Sequence, residues 1–254
     1  MSRIIAVASG KGGVGKTTVV ANLAAALAGF NKHVVAIDGN LTTSNLGLHL
    51  GIPLYPVTLQ DVMKGTARLR DCLYNHPMGF TVVPADMSLE KIMAPEAGQL
   101  VDVLYGLTDK AHIMLIDTAA GLGKEALTTI ESADEVMIVT NPELSAITDA
   151  LKIAKVAERR GTHITGVVLN RIRNEKHEFD IDDARNFLNL PIIGGVPEDY
   201  EVRRAIANKE PVVLHNPRSA AAQELMALAA RLIGKEYEPV RYSNFLTRLF
   251  GWLR

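Results

Sequence analysis

The chain has 254 residues, of which 27 are Lys or Arg and 28 are Asp or Glu, so its formal net charge is −1. This balance excludes a general attraction to nucleic acid, and we expect no nucleic-acid partner. The single cysteine, Cys72, excludes a disulfide framework and a Cys-x-x-Cys metal site within one chain.

The N-terminus runs into a short apolar segment, Ile4–Ala8, which lacks the length of a secretory signal. The uncharged run at residues 17–31 is shorter than the roughly 20 residues that span a bilayer. We therefore expect the body of the protein to be cytoplasmic.

Short apolar runs alternate with longer helical patterns along the chain. The runs are apolar throughout, which is typical of strands whose sheet is covered on both faces. The alternation predicts an α/β fold, with a mostly parallel twisted sheet and helices on both faces. The predicted strands are Ile4–Ala8, Val34–Ile37, Phe80–Val83, Ile113–Ile116, Glu135–Val139, Ile164–Leu169 and Ile192–Ile193. The predicted helices are Lys16–Ala28, Leu89–Tyr105, Lys124–Ser132, Ser145–Arg160, Ala184–Leu188, Tyr200–Asn208 and Ser219–Ile233.

The sequence also suggests where the chain divides. No repeat or low-complexity tract interrupts residues 1–234, which we predict to form one domain. Residues 235–240 are predicted to be a linker, because they are mostly polar and Pro239 prevents the preceding helix from continuing. Residues 241–254 are predicted to form a separate C-terminal helix.

The strongest motif follows the first predicted strand and precedes a predicted helix, where a G-x-x-x-x-G-K-[ST] loop binds phosphate. Its glycines let backbone N–H groups point at phosphate oxygens, and the helix adds the positive end of its dipole. Lys16 is predicted to reach the β- and γ-phosphates of ATP, and Thr17 to offer its hydroxyl group to Mg²⁺. The motif is Gly10-Lys11-Gly12-Gly13-Val14-Gly15-Lys16-Thr17-Thr18.

With its additional lysine, Lys11, this segment resembles the deviant P-loop of the MinD/ParA family of ATPases. The resemblance implies that Lys11 crosses to the nucleotide of a partner subunit, so that two chains form a dimer around ATP. Two triphosphates that face each other need more positive charge than one loop supplies, which agrees with this role. Considered without the family, Lys11 is equally well a solvated loop lysine.

The end of the second predicted strand, Val35-Ala36-Ile37-Asp38-Gly39-Asn40, resembles the first switch region of the family. Asp38 matches the first aspartate of an Asp-x-Asp pair, and the resemblance implies that it contributes to the Mg²⁺ site. The second aspartate, which in the family places or activates the attacking water, is Asn40 here. An amide accepts a hydrogen bond from water but cannot take its proton at neutral pH, so we expect slow hydrolysis.

The predicted strand Ile113–Ile116 delivers Asp117 beside the phosphate loop. A carboxylate in that place usually anchors Mg²⁺, although it could instead cap the following helix. The step Ala120-Gly121 resembles the second switch of the family, where a backbone N–H senses the γ-phosphate.

Two later corners resemble the adenine site of the family. Asn170 and Arg171 end one predicted strand, and the amide of Asn170 can present a donor and an acceptor to the purine edge. Pro197 supplies an apolar wall after the next strand, and Glu198 lies beside it. The segment Thr140–Glu143 resembles a family segment near the dimer face. Each of these corners alone is an ordinary turn.

Residues 241–254 are amphipathic when they are placed at about 100° per residue on a helix. Aromatic and aliphatic side chains fill an arc of roughly 160°, while three arginines and no acidic residue occupy the rest. This pattern suits an anionic membrane surface, but also a helix packed on its own domain. The resemblance of Phe245–Gly251 to the membrane-targeting tail of the family favours the membrane. The residues expected to contact lipid are Phe245, Leu246, Leu249, Phe250, Trp252 and Leu253.

The resemblance extends from Ile4 to about Gly234, and Val57–Val62 is similar to archaeal MinD-like members of the family. It implies an ATPase that uses Mg²⁺ and ATP, dimerises with ATP, associates with the cytoplasmic face of a membrane, and positions other machinery such as a division site. Two alternatives stay open, namely a scaffold with little turnover and an ATPase that serves the maturation of a cofactor or metal centre. The sequence does not name the protein cargo or the activating partner.

Overall fold

A computed structural model of the protein describes residues 2–52, 55–86 and 97–239. Within these ranges eight strands form a single sheet: β1 (Arg3–Ala8), β2 (Val34–Gly39), β3 (Tyr74–Asn75), β4 (Thr81–Val83), β5 (Ile113–Thr118), β6 (Glu135–Thr140), β7 (His163–Ile172) and β8 (Ile192–Pro197). Their order across the sheet is β3-β4-β2-β5-β1-β6-β7-β8. All neighbouring strands are parallel except β3 and β4, which are antiparallel. The predicted mostly parallel sheet is therefore confirmed.

Ten α-helices and one 3-10 helix (Leu69–Cys72) lie within the same ranges; the α-helices are α1 (Lys16–Gly29), α2 (Leu46–His49), α3 (Leu59–Met63), α4 (Ala97–Tyr105), α5 (Lys124–Glu131), α6 (Leu144–Arg160), α7 (Ile181–Leu188), α8 (Tyr200–Ala207), α9 (Val212–His215) and α10 (Ala220–Leu232). Strand β3 and helices α2, α3 and α9 were not predicted from the sequence. They contain only two to five residues each, which is too few to show a hydrophobic periodicity.

Helices cover both faces of the sheet, as predicted. Ile5 and Val7 of β1 share one core with α1, α9 and α10, whereas Ala6 and Ala8 share another with α5, α6 and α7. A third core joins β2 and β5 to α3 and α4. Successive residues of a strand point to opposite faces, and here both faces are buried. This explains why the sequence of β1 is apolar throughout.

The order of the strands positions the site. β1 lies at the centre of the sheet between β5 and β6, and the chain builds β2, β4 and β5 on one side of it before β6, β7 and β8 on the other. In open parallel sheets, ligands bind at the carboxyl ends of the strands where the strand order reverses in this way. The loop after β1 lies at that point.

Some boundaries differ from the prediction. β7 continues beyond Leu169 to Ile172 because its parallel pairing with β8 extends through Asn170. α7 begins at Ile181 rather than Ala184, since the side chain of Asp180 accepts a hydrogen bond from Asp183 N and caps the helix three residues earlier.

Several predicted segments lie partly or wholly outside the described residues. Of the predicted helix Leu89–Tyr105, the part from Ala97 onward is a helix in the structure, and residues 89–96 are not described. The C-terminal helix 241–254 and residue 240 of the linker are also outside the described ranges, while residues 235–239 form neither helix nor strand. In the described part of the chain no helix combines the length and apolar character needed to cross a bilayer.

Candidate nucleotide site

The phosphate loop joins β1 to α1 in the conformation that its glycines allow. Gly13 and Gly15 have φ angles of 79° and 100°, in the left-handed region that favours glycine. α1 begins at Lys16, and no side chain caps its N-terminus. The N–H groups of the first helical turn therefore face the cavity side without a side-chain acceptor, which is the arrangement that binds phosphate.

An open cavity of about 390 Å³ lies over this loop, and its volume is in the usual range for small-molecule sites. The loop, the segments that follow β2 and β5, and residues of β7 and α8 line it. The lining residues are Gly12, Gly13, Gly15, Lys16, Thr17, Thr18, Asn40, Thr43, Asn45, His49, Ala120, Arg171 and Ile206.

Lys16 is the one cation of the loop that lies buried at the cavity floor. Its Nζ donates a hydrogen bond to Ser9 Oγ at 2.9 Å. Burial lowers the pKa of Lys16, and the negative charge of Asp117 opposes this change. A buried ammonium group with a neutral partner gains from a phosphate, because the phosphate supplies the missing countercharge.

Thr17 lines the cavity next to Lys16 and contacts Asp117, which is buried. Thr17 Oγ1 donates a hydrogen bond to Asp117 Oδ2 at 2.5 Å. The other oxygen, Asp117 Oδ1, is buried and receives no hydrogen bond from any residue in the described ranges. A buried carboxylate oxygen without a donor, next to a hydroxyl group, fits Mg²⁺, which prefers oxygen ligands.

Asp38 lies beside Asp117, because the two residues are paired in the register of β2 and β5. Burial is the main reason why the pKa of Asp117 is raised to about 7, and the charge of Asp38 adds to it. Burial also raises the pKa of Asp38 to about 6, against the effect of its hydrogen bonds. A cation at this place would relieve the repulsion between the two carboxylates.

The carboxylate of Asp38 organises the loop that follows β2. Its Oδ2 accepts hydrogen bonds from Ser44 Oγ at 2.7 Å, Leu46 N at 3.1 Å and Asn45 N at 3.2 Å, and its Oδ1 accepts one from Asn40 N at 3.1 Å. Both oxygens are thus engaged by the loop. Thr17 lines the cavity, whereas Asp117 and Asp38 are buried and do not line it.

The side chain of Asn40 is held within its own loop. Its Nδ2 donates to Thr43 O at 2.8 Å, and its Oδ1 accepts from Thr43 Oγ1 at 3.0 Å and Thr43 N at 3.2 Å. Asn40 nevertheless lines the cavity.

Sequence reasoning missed a contact between this loop and α5. Glu125 Oε2 accepts a hydrogen bond from Thr42 Oγ1 at 2.7 Å, and its Oε1 accepts from Thr42 N at 3.2 Å and from Leu41 N. The partners are more than eighty residues apart in sequence, so no local pattern could have indicated the contact.

The segment after β5 contributes Ala120 to the cavity. The neighbouring Gly121 has a φ of 81°, and its N–H donates to Ser9 O at 2.9 Å. Of the step predicted to sense the γ-phosphate, the structure therefore directs Gly121 toward β1 and only Ala120 toward the cavity.

A second cavity of about 50 Å³ adjoins the first and shares Thr18, Arg171 and Ile206 with it. Asn170, Pro197 and Glu198 line it, which brings the predicted adenine corners together. Its small volume reflects closure by side chains.

Three polar contacts lie at this second cavity. Asn170 is not at the end of its strand, and its Nδ2 donates to Val14 O at 2.6 Å. Glu198 forms ion pairs with Arg203 at 2.6 Å and with Arg171 at 3.8 Å.

Lys11 points away from the cavity that its own loop forms. Its Nζ lies 3.5 Å from Ser145 Oγ and 3.8 Å from Glu143 Oε2, at the start of α6. The side chains of Lys11 and Glu143 are 48% and 43% exposed. Two other residues of the loop contact the protein interior. Gly10 packs against the backbone of α6, and Val14 is buried.

A profile of the CobQ/CobB/MinD/ParA nucleotide binding domain matches residues 5–212. The chain is 45% identical over 258 residues to an uncharacterized ATP-binding protein of Methanocaldococcus jannaschii, and the match covers 99% of this chain and 98% of that protein.

Two solved structures are similar to this chain. The septum site-determining protein MinD of Pyrococcus horikoshii, solved in complex with Mg-ADP, has 36% sequence identity and a TM-score of 0.88, covering 91% of this chain and 96% of that chain. A chain of the MinC:MinD cell division protein complex of Aquifex aeolicus has 28% identity and a TM-score of 0.85, covering 95% of this chain and 100% of that chain.

Proposed function

Because this chain belongs to the CobQ/CobB/MinD/ParA family of nucleotide-binding proteins, we propose that it is a MinD-like ATPase switch that uses Mg-ATP and positions other cell components, such as a division site. The main support is that Lys16 and Thr17 lie at the floor of one cavity and that Thr17 is hydrogen-bonded to the buried Asp117. The relative from Pyrococcus horikoshii, which is a septum site-determining protein in complex with Mg-ADP, supports the same reading.

The residues at the cavity would have separate roles in phosphoryl transfer, which depends on positioning the phosphates and on neutralising their charge. The N–H groups of the loop and of the first turn of α1 would bind the phosphates, and Lys16 would leave Ser9 to pair with them. Thr17 and Asp117 would hold Mg²⁺, with Asp38 behind them. Bound Mg²⁺ supplies positive charge that neutralises the phosphate oxygens.

Slow turnover is part of the proposal. Asn40 offers an amide where a carboxylate is usual, and both ends of this amide are bonded to Thr43. The same observation favours a second candidate, a scaffold that binds ATP and turns it over very little. Single-turnover hydrolysis, measured with protein in excess over ATP, separates the two functions. A scaffold would leave the ATP intact over hours, whereas a switch would hydrolyse all of the bound ATP to ADP in a single exponential phase.

Dimerisation around ATP is the third part of the proposal. Lys11 is half exposed and directed toward Glu143 rather than toward its own cavity, which leaves it available to a partner subunit. An exposed ion pair of this kind contributes at most about 1 kcal/mol, so exchanging Glu143 for a phosphate of another chain costs little.

Association with the cytoplasmic face of a membrane is the fourth element, and it rests on the amphipathic pattern of residues 241–254. One such segment binds an anionic membrane weakly. A dimer presents two of them, and the second insertion is then effectively intramolecular. The partners proposed are therefore a second copy of this chain, anionic lipid, and a protein cargo or activator.

Light scattering without nucleotide, with Mg-ADP and with Mg-ATP tests the switch. The wild type and the control Lys64→Ala, which removes an exposed lysine far from the cavity, are expected to double in mass with Mg-ATP alone. Lys11→Ala should bind ATP as a monomer, because its contact is made to the partner. Lys16→Ala should lose ATP binding itself, since that contact lies within one chain.

Two results would count against the proposal. If Lys11→Ala still dimerises with Mg-ATP, the proposed contact of Lys11 with the partner's nucleotide is wrong. A wild type that neither binds nor hydrolyses Mg-ATP in calorimetry and single-turnover assays removes the ATPase function as a whole.

A further inference from the structure

Glu125, in the first turn of α5, connects two segments that both border the phosphate cavity. Its carboxylate accepts hydrogen bonds from Thr42 Oγ1, Thr42 N and Leu41 N, which lie in the loop after β2. α5 itself follows directly on the segment after β5 that carries Ala120. One side chain thus bridges the two segments.

The bridge has several donors and a charged acceptor. Leu41 is 2% exposed, so its N–H has little access to water and needs a partner within the protein. Hydrogen bonds to an ionised carboxylate are the stronger ones in proteins, and loss of one typically changes an equilibrium constant about tenfold or more. The loop therefore depends on Glu125 for its position.

The loop has other attachments at its ends and at Leu41. Asp38 binds the backbone of Asn40 at its start and of Asn45 at its end. The side chain of Leu41 is buried in the core beside α3, and Gln60 Nε2 of α3 donates to Leu41 O at 3.4 Å. Glu125 is the described side chain that accepts hydrogen bonds from the backbone N–H groups of residues 41 and 42, immediately after Asn40.

We infer that Glu125 is a positioning residue that fixes Asn40 over the phosphate cavity and makes the loop after β2 move together with the segment after β5. The hydrolytic part of this inference rests on the proposed ATPase function, whereas the mechanical coupling of the two segments does not. Neither role requires Glu125 to touch the nucleotide.

Three variants separate this role from general stability. Glu125→Ala removes every acceptor. Glu125→Gln keeps a carbonyl oxygen for the two N–H groups and offers its amide N–H to the hydroxyl oxygen of Thr42, so it should restore most of the contact. Glu131→Ala is the matched control, because it removes another carboxylate of α5, which is paired with Arg160 at 3.0 Å.

Amide hydrogen exchange without nucleotide tests the coupling. In Glu125→Ala, exchange at Leu41, Thr42 and Gly121, whose N–H donates to Ser9 O, should accelerate about tenfold or more, while Glu125→Gln and Glu131→Ala stay near the wild type. Faster exchange at Leu41 and Thr42 with Gly121 unchanged would overturn the coupling. Unchanged exchange at all three residues would overturn the bridge itself. These outcomes do not depend on whether ATP is hydrolysed.

Steady-state kinetics with Mg-ATP test the positioning of Asn40. In Glu125→Ala, kcat should fall about tenfold with KM within about twofold of the wild type, and Glu125→Gln should recover most of the loss. In an Asn40→Ala background, adding Glu125→Ala should change kcat less than about twofold. An equal fall of kcat in both backgrounds, or an unchanged kcat in Glu125→Ala, would overturn the role through Asn40.

Discussion

Replacing Asp117 by asparagine should stabilise the nucleotide-free protein at neutral and alkaline pH, and should remove its response to Mg²⁺. The reason is that the folded chain holds two buried carboxylates, Asp38 and Asp117, side by side, and the charge of Lys16 offsets the cost of their burial only in part. Asparagine keeps the shape of the side chain and the acceptor for Thr17, but carries no charge.

The magnitude follows from the pKa. Burial and the charge of Asp38 raise the pKa of Asp117 from 3.8 to about 7. A shift of one pKa unit between the unfolded and the folded chain is worth about 1.4 kcal/mol, so ionising this group in the folded chain costs on the order of 4 kcal/mol of stability. The new amide N–H₂ of asparagine needs a partner and offsets about 1–3 kcal/mol of the gain. We expect a net increase in the unfolding free energy of about 2 kcal/mol above pH 7.

The direction of the pH dependence follows from proton binding. Since the pKa is higher in the folded chain than in the unfolded chain, the folded state binds the proton more tightly. Its contribution to stability is fully present below about pH 4 and is lost as the pH rises to about 7. Asparagine does not titrate, so Asp117→Asn does not lose this stability. The difference in unfolding free energy between variant and wild type should therefore grow between about pH 4 and pH 7.

Urea unfolding in a buffer with chelator, at pH 5 and pH 8, measures the difference. Asp109→Asn is the control, because Asp109 is an exposed carboxylate. In a second series with ADP, adding Mg²⁺ should stabilise the wild type further and leave Asp117→Asn unchanged, because Asp117 is proposed to hold the metal. If the difference between variant and wild type were the same at both pH values, the buried charge at Asp117 would not be the source of the effect.

The other predictions concern turnover and membrane binding. Asn40→Asp should raise the single-turnover rate of ATP hydrolysis with similar ATP affinity, because a carboxylate can take the proton from water and no longer donates to Thr43 O; an equal or slower rate would contradict the role given to this position. In liposome co-sedimentation, binding should require Mg-ATP and anionic lipid, weaken with salt, and vanish on deletion of residues 241–254. Phe250→Glu should reduce this binding strongly and Ser243→Glu only slightly, since Phe250 lies on the apolar arc and Ser243 on the polar one. Equal binding with ADP and ATP would remove the link to the nucleotide.

Much of the fold could be predicted because long elements carry strong patterns. The strands around β1 are apolar throughout, and α1, α6 and α10 have clear starts and ends in the sequence. The meeting of Asp38 and Asp117 could also be expected, because both end parallel strands at one edge of the sheet.

What could not be predicted depends on contacts between distant segments. Asn170 was expected at a strand end, but the pairing of β7 with β8 keeps it within the strand and its amide is bonded to Val14 O. The carboxylate of Glu125 reaches the loop after β2 only because α5 packs beside that loop. Local sequence propensities do not indicate such a contact, because the residues are far apart in the chain.

The close approach of Gly10 to α6 has a consequence for genetic work on this protein. A Cβ atom at Gly10 would lie 2.4 Å from Asp149 O, and one at Gly15 would lie 2.2 Å from Asn170 Nδ2. Gly13, by contrast, has no atom within 4 Å of such a Cβ, and only its backbone angle restricts it. Loss of activity in a mutational scan would therefore have different origins at neighbouring glycines. At Gly10 it would report damaged packing against α6 and low protein abundance, and at Gly15 a distorted phosphate loop, whereas at Lys16 it would report lost binding of the nucleotide.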